Sequence, residues 1–211
     1  MPILYGAVGA PSTTSAADGS NLPLLQGKQG EAMIAELHGF WYTQSYRGNL
    51  FWGTNATAGT TIPIQASSLV STFTLYNPAN SGKNLELVSY SFAMEAATTV
   101  VSDVSLYFQS QIGTVNALLA TTTALVVRPG VLGGSFASQA SLFSAATFTG
   151  ALTKGPTLFG PSAVTSTQLG PNEYQFQGRI IVPPGVAVTT AGNAAQTSAA
   201  AQTFMWVENP L

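Results

Sequence analysis

Few side chains in this chain could do chemistry, and their types and spacing limit what that chemistry could be. The one histidine, His38, lies in Glu36-Leu37-His38-Gly39-Phe40-Trp41-Tyr42. An imidazole there could act as general base to a serine, but no Gly-x-Ser-x-Gly elbow exists to present one. A single histidine also excludes every site that needs two. His38 therefore reads as a packed, hydrogen-bonded side chain. Of the eight acidic residues, Glu31, Glu36, Glu86, Glu95, Asp103 and Glu173 stand singly. Glycoside hydrolysis needs two carboxylates across one bond, and no acidic run has calcium-loop spacing. These acids read as solvated or turn-capping. Ser81-Gly82-Lys83-Asn84 echoes a phosphate loop, but the first Gly is replaced by Asn77 and the Ser/Thr after Lys by Asn84. Pro78 and flanking strand patterns make it a β-turn. Zero cysteines exclude thiolate chemistry, disulfides and Cys-based zinc sites.

The densest aromatic cluster is Phe40-Trp41-Tyr42, Tyr46 and Phe51-Trp52, with Arg47-Gly48-Asn49 inside it. Three readings stay open for it: core packing, a subunit contact anchored by Trp, Tyr and Arg, or a sugar-stacking platform. Asn55-Ala56-Thr57 matches a glycosylation sequon. With no leader pattern ahead of it, that match carries little weight.

The elements that must position these residues are strands. Ser71–Tyr76, Asn84–Met94 and Asp103–Phe108 alternate with period two, the mark of a strand with one face buried. Thr123–Arg128, Tyr174–Val182 (with a bulge or bend at Gly178), Gly185–Val188 and Thr203–Val207 are further strand patterns. Asn77–Asn84, Arg128-Pro129-Gly130, Gly133-Gly134, Gly170-Pro171-Asn172 and Pro183-Pro184-Gly185 punctuate them. Glu31–Phe40 suits a short helix. Ala191–Gln202 is Ala-rich, but Gly192 and its Ser and Thr content make it a weak helix or a loop. No amphipathic helix of ten or more residues stands out. The pattern predicts an all-β domain over residues 30–211, a two-sheet sandwich or jelly roll. Residues 1–29, rich in Gly, Ser and Pro, predict an extended N-terminal arm with apolar points at Ile3, Leu4, Tyr5, Leu22, Leu24 and Leu25.

Composition narrows the partners. Charged residues are 7% of 211, against about 25% in an ordinary soluble domain, and the net charge is -2. Six scattered Lys and Arg cannot track phosphates, so nucleic acid is not expected as a partner. Nor is a membrane, because no basic amphipathic face and no long apolar span is present. A near-neutral surface gives little repulsion to keep a chain monomeric. It suits a subunit covered by neighbours in a homo-oligomer.

Several of these segments resemble small virion proteins of tailed bacteriophages. The likeness is carried by Gly30-Glu31, Glu36-Leu37-His38-Gly39, Tyr42 and Tyr46-Arg47-Gly48-Asn49-Leu50-Phe51. It continues in Phe73-Thr74-Leu75-Tyr76-Asn77-Pro78, Ser81–Leu85, Ile181-Val182-Pro183-Pro184-Gly185 and Met205-Trp206-Val207-Glu208. It spans residues 30–208, with 110–165 poorly matched. The resemblance implies a jelly-roll head decoration or cement protein on the outside of the capsid, made in the host cytoplasm. Its partners would be the major capsid protein and copies of itself, a trimer in preference to a dimer. It implies no catalytic residue, cofactor or metal. The contact surfaces expected on this reading are the N-terminal arm and the aromatic cluster: Tyr5, Leu24, Phe40, Trp41, Tyr42, Tyr46, Arg47, Phe51 and Trp52.

Two rival classes share the β-rich, Ser/Thr-rich pattern. A tail-fibre or receptor-binding tip would recognise host surface sugar through exposed aromatics, although the chain shows no shaft repeat. A capsule-degrading hydrolase would need a paired acidic site, which the spacing does not supply.

Overall fold

The computed structural model describes residues 7–8, 25–26, 41–55, 59–62, 70–94, 102–110, 119–162, 172–194 and 199–211. The chain forms two compact units, Met1–Thr43 and Gln44–Leu211. In the first unit, β1 (Ala7–Val8) pairs in parallel with β2 (Leu25–Gln26). The rest of the expected arm, Tyr5 and Leu24 included, lies outside the described residues. So does Glu31–Phe40 with His38. A short helix, α1 (Tyr42–Tyr46), straddles the boundary between the units.

The second unit is built from strands. They are β3 (Leu50–Thr54), β4 (Thr60–Thr61), β5 (Val70–Ser71), β6 (Thr74–Asn77), β7 (Lys83–Met94), β8 (Ser102–Ser110), β9 (Leu119–Leu125) and β10 (Val127–Pro129). There follow β11 (Ser141–Phe148), β12 (Thr153–Ser162), β13 (Asn172–Gln175), β14 (Ile181–Val182), β15 (Val186–Ala191) and β16 (Ala199–Pro210). The first sheet runs β10-β3-β16-β7-β13; β4 prolongs β3 along β16, and β14 prolongs β13 along β7. The second runs β12-β8-β15-β6-β11-β9, with β5 prolonging β6 along β11. Every ladder in both sheets is antiparallel. The ladders β9·β11, β8·β12, β7·β13/β14 and β6·β15 nest one inside the next, which is the wrap of a jelly roll. The two-sheet, all-β architecture expected from the alternation is the one observed.

Local sequence explains the main irregularities. Apolar residues of β7 fall at Leu85 and Leu87, then at Tyr90, Phe92 and Met94, so their parity changes midway. A bulge at Val88 absorbs the change: Leu87 faces Trp206 while Ser89 faces Met205. All five apolar side chains thereby stay buried. Between β9 and β10 stands Val126 alone, so one strand crosses from the second sheet to the first and closes that side of the sandwich. Gly53 sits at this corner. A Cβ there would lie 2.5 Å from Leu142 Cδ2 and 3.3 Å from the Val126 carbonyl oxygen.

Three of the longer strands were not anticipated. β3 carries Gly53, β11 is rich in Ala and Ser, and β12 contains Gly155, Pro156, Gly160 and Pro161. Such residues read as punctuation, yet an edge strand such as β12 tolerates them. The weak helix or loop expected over Ala191–Gln202 is corrected in part. Residues from Ala199 onward belong to β16, because Ala200 and Gln202 alternate inward with Phe204 and Trp206.

The core is a run of rings shared by both sheets. Phe73 stacks on Phe204 with centroids 5.2 Å apart, and Tyr90 lies 5.0 Å from Phe204. Phe92 meets Phe159 edge-on at 4.9 Å, and Tyr174 meets Phe176 at 5.0 Å. Among these rings is a polar tie. Gln202 on β16 accepts hydrogen bonds at Oε1 from Tyr90 Oη (2.9 Å) and Thr190 Oγ1 (2.8 Å), and donates from Nε2 to Thr60 Oγ1 (3.2 Å). Thr190 stands on β15, so the bond joins the two sheets. Burial pushes the Tyr90 phenol well above its usual range, a rise only partly offset by the Thr190 hydroxyl.

Removing the Gln202 amide leaves two buried hydroxyls without their acceptor. Gln202→Ala is expected to lower unfolding free energy by about 3 kcal/mol and Tyr90→Phe by about 1 kcal/mol. Urea unfolding of the two variants checks the order; equal losses would mean that the amide does not tie the sheets.

Candidate interaction surface

The residues with chemical potential are placed in structural roles. The Asn77–Asn84 segment is a turn: Ser81 N donates to the Pro78 carbonyl at 3.0 Å, and Gly82 has φ 64°. Asn55 is buried, with Nδ2 donating to the Ala200 carbonyl (2.7 Å) and Oδ1 accepting from Gln202 N (2.9 Å). Its amide bridges the break between β3 and β4, so the sequon asparagine is committed to the sheet. Glu86 accepts from Asn209 Nδ2 at 2.9 Å, and Glu173 is exposed at the edge on β13. His38, Glu31, Glu36 and Glu95 lie outside the described residues. Among the described residues, no three His, Cys, Asp or Glu side chains converge as a metal site. No described helix is long and apolar enough to cross a membrane.

Asp103 is engaged at both carboxylate oxygens. Oδ2 lies 3.0 Å from Lys154 Nζ and accepts from Ser105 Oγ at 2.9 Å; Oδ1 accepts from Asn193 N at 2.8 Å. A serine, a carboxylate and a lysine in line resemble a hydrolytic set, but Ser105 is 0% exposed. No substrate reaches its hydroxyl. The group instead fastens the segment after β15 to β8 and β12. Burial pushes the Asp103 carboxyl up, but bonds from Lys154, Ser105 and Asn193, with the Lys154 charge, outweigh it and hold the carboxyl below its usual range. A depressed carboxyl contributes stability above its unfolded pKa, near ~4, and loses it as pH falls through the folded value.

The aromatic cluster divides. Phe51 is in the core, 2% exposed and 6.4 Å from the Trp206 ring, so it cannot serve as the contact residue expected of it. Trp52, on the opposite face of β3, is half-buried with Met205 and Arg128 as its register partners. Tyr46 (69% exposed) and Arg47 reach the surface of the second unit. In the first unit Tyr42 is exposed and Trp41 half-buried, and Phe40 lies outside the described residues.

Tyr46 and Arg47 adjoin a feature that the sequence reading passed over. After β10 the chain runs from Gly130 to Ala140 without a strand and presents Val131, Leu132 (81% exposed) and Phe136 (44%). Phe136 lies against Gly48, whose φ is 73°; a Cβ there would sit 2.2 Å from the ring. The loop is pinned at both ends. Gly130 N donates to the Leu50 carbonyl at 2.7 Å, and Gly134 N closes a turn on Val131 at 2.9 Å. At the far end the buried carboxylate of Glu208 accepts from Gln139 N (3.0 Å), Ala140 N (3.2 Å), the Ser138 hydroxyl and Trp206 Nε1 (3.4 Å). A buried carboxyl group with four donors around it has its acceptors satisfied within the protein. Large apolar side chains are thus held out to solvent by a loop whose conformation is fixed from beneath.

A signal for this site was present. Phe204, Trp206 and Glu208 share one parity on a buried strand, which marks Glu208 as an interior acid that must be supplied with donors. Leu132 and Phe136 flank Gly133-Gly134, which drew the eye as a turn alone.

No family model, curated protein or solved structure matches this chain. The function therefore rests on the surface just described and on the composition.

Two outcomes follow. Asp103→Asn should remove stability at pH 7 and flatten the loss on acidification below pH ~4; a parallel acid limb in thermal melts would contradict the assignment. Glu208→Gln turns an acceptor into a donor facing N–H groups and should cost about 2–3 kcal/mol. Hydrogen exchange at Gln139 and Ala140 should speed up in that variant while β7 amides keep their relative protection; unchanged exchange at the loop would contradict the clamp.

Proposed function

We propose that this chain is a structural virion protein, a decoration or cement subunit bound to the outer surface of a major capsid protein lattice. The observation that carries this reading is the pinned apolar loop, Val131 to Phe136 with its ring on Gly48, in a chain with only 7% charged residues. A lattice-binding subunit meets the same small contact many times, so each contact can be weak while the array is held by avidity. Rigid presentation of a few apolar anchors suits that task, because little side-chain and loop entropy remains to be lost on binding. The low charge fits a surface covered by capsid subunits and by copies of itself. The role is mechanical: adjacent capsid subunits are clamped, and internal genome pressure must break more contacts to open the shell. No catalytic group, cofactor, nucleic acid or membrane enters this function.

Quantitative mass spectrometry of purified virions tests the reading. Hundreds of copies per particle, comparable with the major capsid protein, are expected. A few to a few dozen would overturn it in favour of a tail tip that binds host sugar, and absence from particles would overturn the virion role altogether.

A further inference from the structure

Successive residues of a strand point to opposite faces, and residues level with one another in adjacent strands form rows across a sheet. In the first sheet the inner rows hold the core rings. The outer rows face away from the sandwich. One runs Arg128, Trp52, Met205, Ser89, Gln175 across β10, β3, β16, β7 and β13. The next runs Thr54, Thr203, Ser91, Glu173 across β3, β16, β7 and β13. Ala201 and Ala93 begin a third. The ladders are regular over all of these residues; the bulge at Val88 lies just past Ser89. Apart from Ser89, every one of these side chains keeps some exposure. The charges stand at opposite edges and have opposite signs: Arg128 on β10 and Glu173 on β13. Neither has an ion-pair partner among the described residues.

That arrangement is complementary to itself. The middle strand of the face is β16, with the bulky Trp52 on one side of it and the small Ser89 and Ser91 on the other. A half-turn about an axis running along β16 lays the face of a second copy on the first. The two Met205 side chains then meet on the axis, as do the two Thr203 side chains. Each Trp52 ring lies over the other copy's Ser89, where a small side chain leaves room for it. Each Arg128 lies over the other copy's Gln175, with Glu173 about 7 Å along the same strand, within reach of a guanidinium. Arg179, the cation nearest that edge in sequence, is spent on the Phe176 and Gln175 carbonyls. Stacked sheets lie about 10 Å apart with strand directions within about 30° of each other, a gap that Trp, Met and Arg side chains fill. A half-turn about an axis across the strands would instead bring Arg128 towards Arg128 and Glu173 towards Glu173. Charge therefore selects the axis along β16.

We propose that the outer face of the first sheet is a homodimer interface, on which a second copy of this chain stacks face to face about a two-fold axis along β16. The pair makes a dimer the building unit, in place of the trimer expected above. It does not depend on the virion reading.

Charge reversal tests the surface and the direction of the axis together, in the full-length protein. Sedimentation velocity of the wild type should show a dimer. Arg128→Glu sets like charges against each other at two places in the pair and should raise the dissociation constant about tenfold. Glu173→Arg should do the same. Mixed in equal amounts, the two variants should regain the wild-type affinity, because in the mixed pair both contacts again join opposite charges. Thr203→Asp places two carboxylates on the axis and should leave a folded monomer. Leu132→Asp, on the loop that meets the capsid in the reading above, should dimerise as the wild type does, so the two surfaces are read separately. Three results would each overturn the proposal: a wild type that is not a dimer, single reversals that pair as tightly as the wild type, or a mixture that pairs no more tightly than its components.

Discussion

Strand β16 buries two polar side chains, Gln202 and Glu208, and the need to give them partners shapes much of the second unit. A buried amide or carboxylate without hydrogen bonds would cost several kcal/mol, a large share of a domain's net stability. Gln202 finds its partners on β7 in its own sheet and on β15 in the facing sheet, and so ties the two sheets together. Glu208 finds its partners in the loop beyond β10 and so fixes a segment that has no ladder of its own. The same strand contributes Phe204 and Trp206 to the rings of the core. Packing and polar satisfaction are therefore imposed by alternate residues of a single strand.

That arrangement joins the interior to the surface. The aromatic rings need no loop to hold them, but the loop leans on Glu208, since its own hydrogen bonds are the local Val131–Gly134 and Ser138–Ala140 contacts and its start is tied to β3 through Gly130. Where an exposed loop is fixed by a buried group, its apolar side chains face solvent without the freedom to collapse onto the body. Phe136 leaning on Gly48 shows the same economy: the glycine leaves room for the ring, and the ring steadies the turn after α1.

Much of this was legible in the sequence, for physical reasons that can be named. Period-two alternation in Asn84–Met94 and Thr203–Val207 gave away the two central strands of the first sheet, while the bulge at Val88 showed only in the pairing of β7 with β16. The strands that escaped, β3, β11 and β12, carry Gly, Ala, Ser or Pro, and their strand state comes from tertiary pairing over local preference. The candidate surface was half legible. A cluster of aromatics in sequence is not a cluster in space, because successive strand residues point to opposite faces; Phe51 therefore went to the core and Trp52 to the other side. Tyr46 and Arg47 reached the surface, but Phe136, which packs on the nearby Gly48, comes from a segment more than eighty residues away. Only pairing of β10 with β3 brings the two together.

The central claim is that the loop held by Glu208 is the face that meets the capsid. Its most direct test is rebinding of purified protein to particles stripped of it, comparing wild type with Leu132→Asp, a change at an 81% exposed position that should leave folding intact. The account predicts that wild type saturates the particles and that Leu132→Asp, with an unaltered melting temperature, fails to bind at the same concentration. Equal rebinding by the two proteins would contradict it.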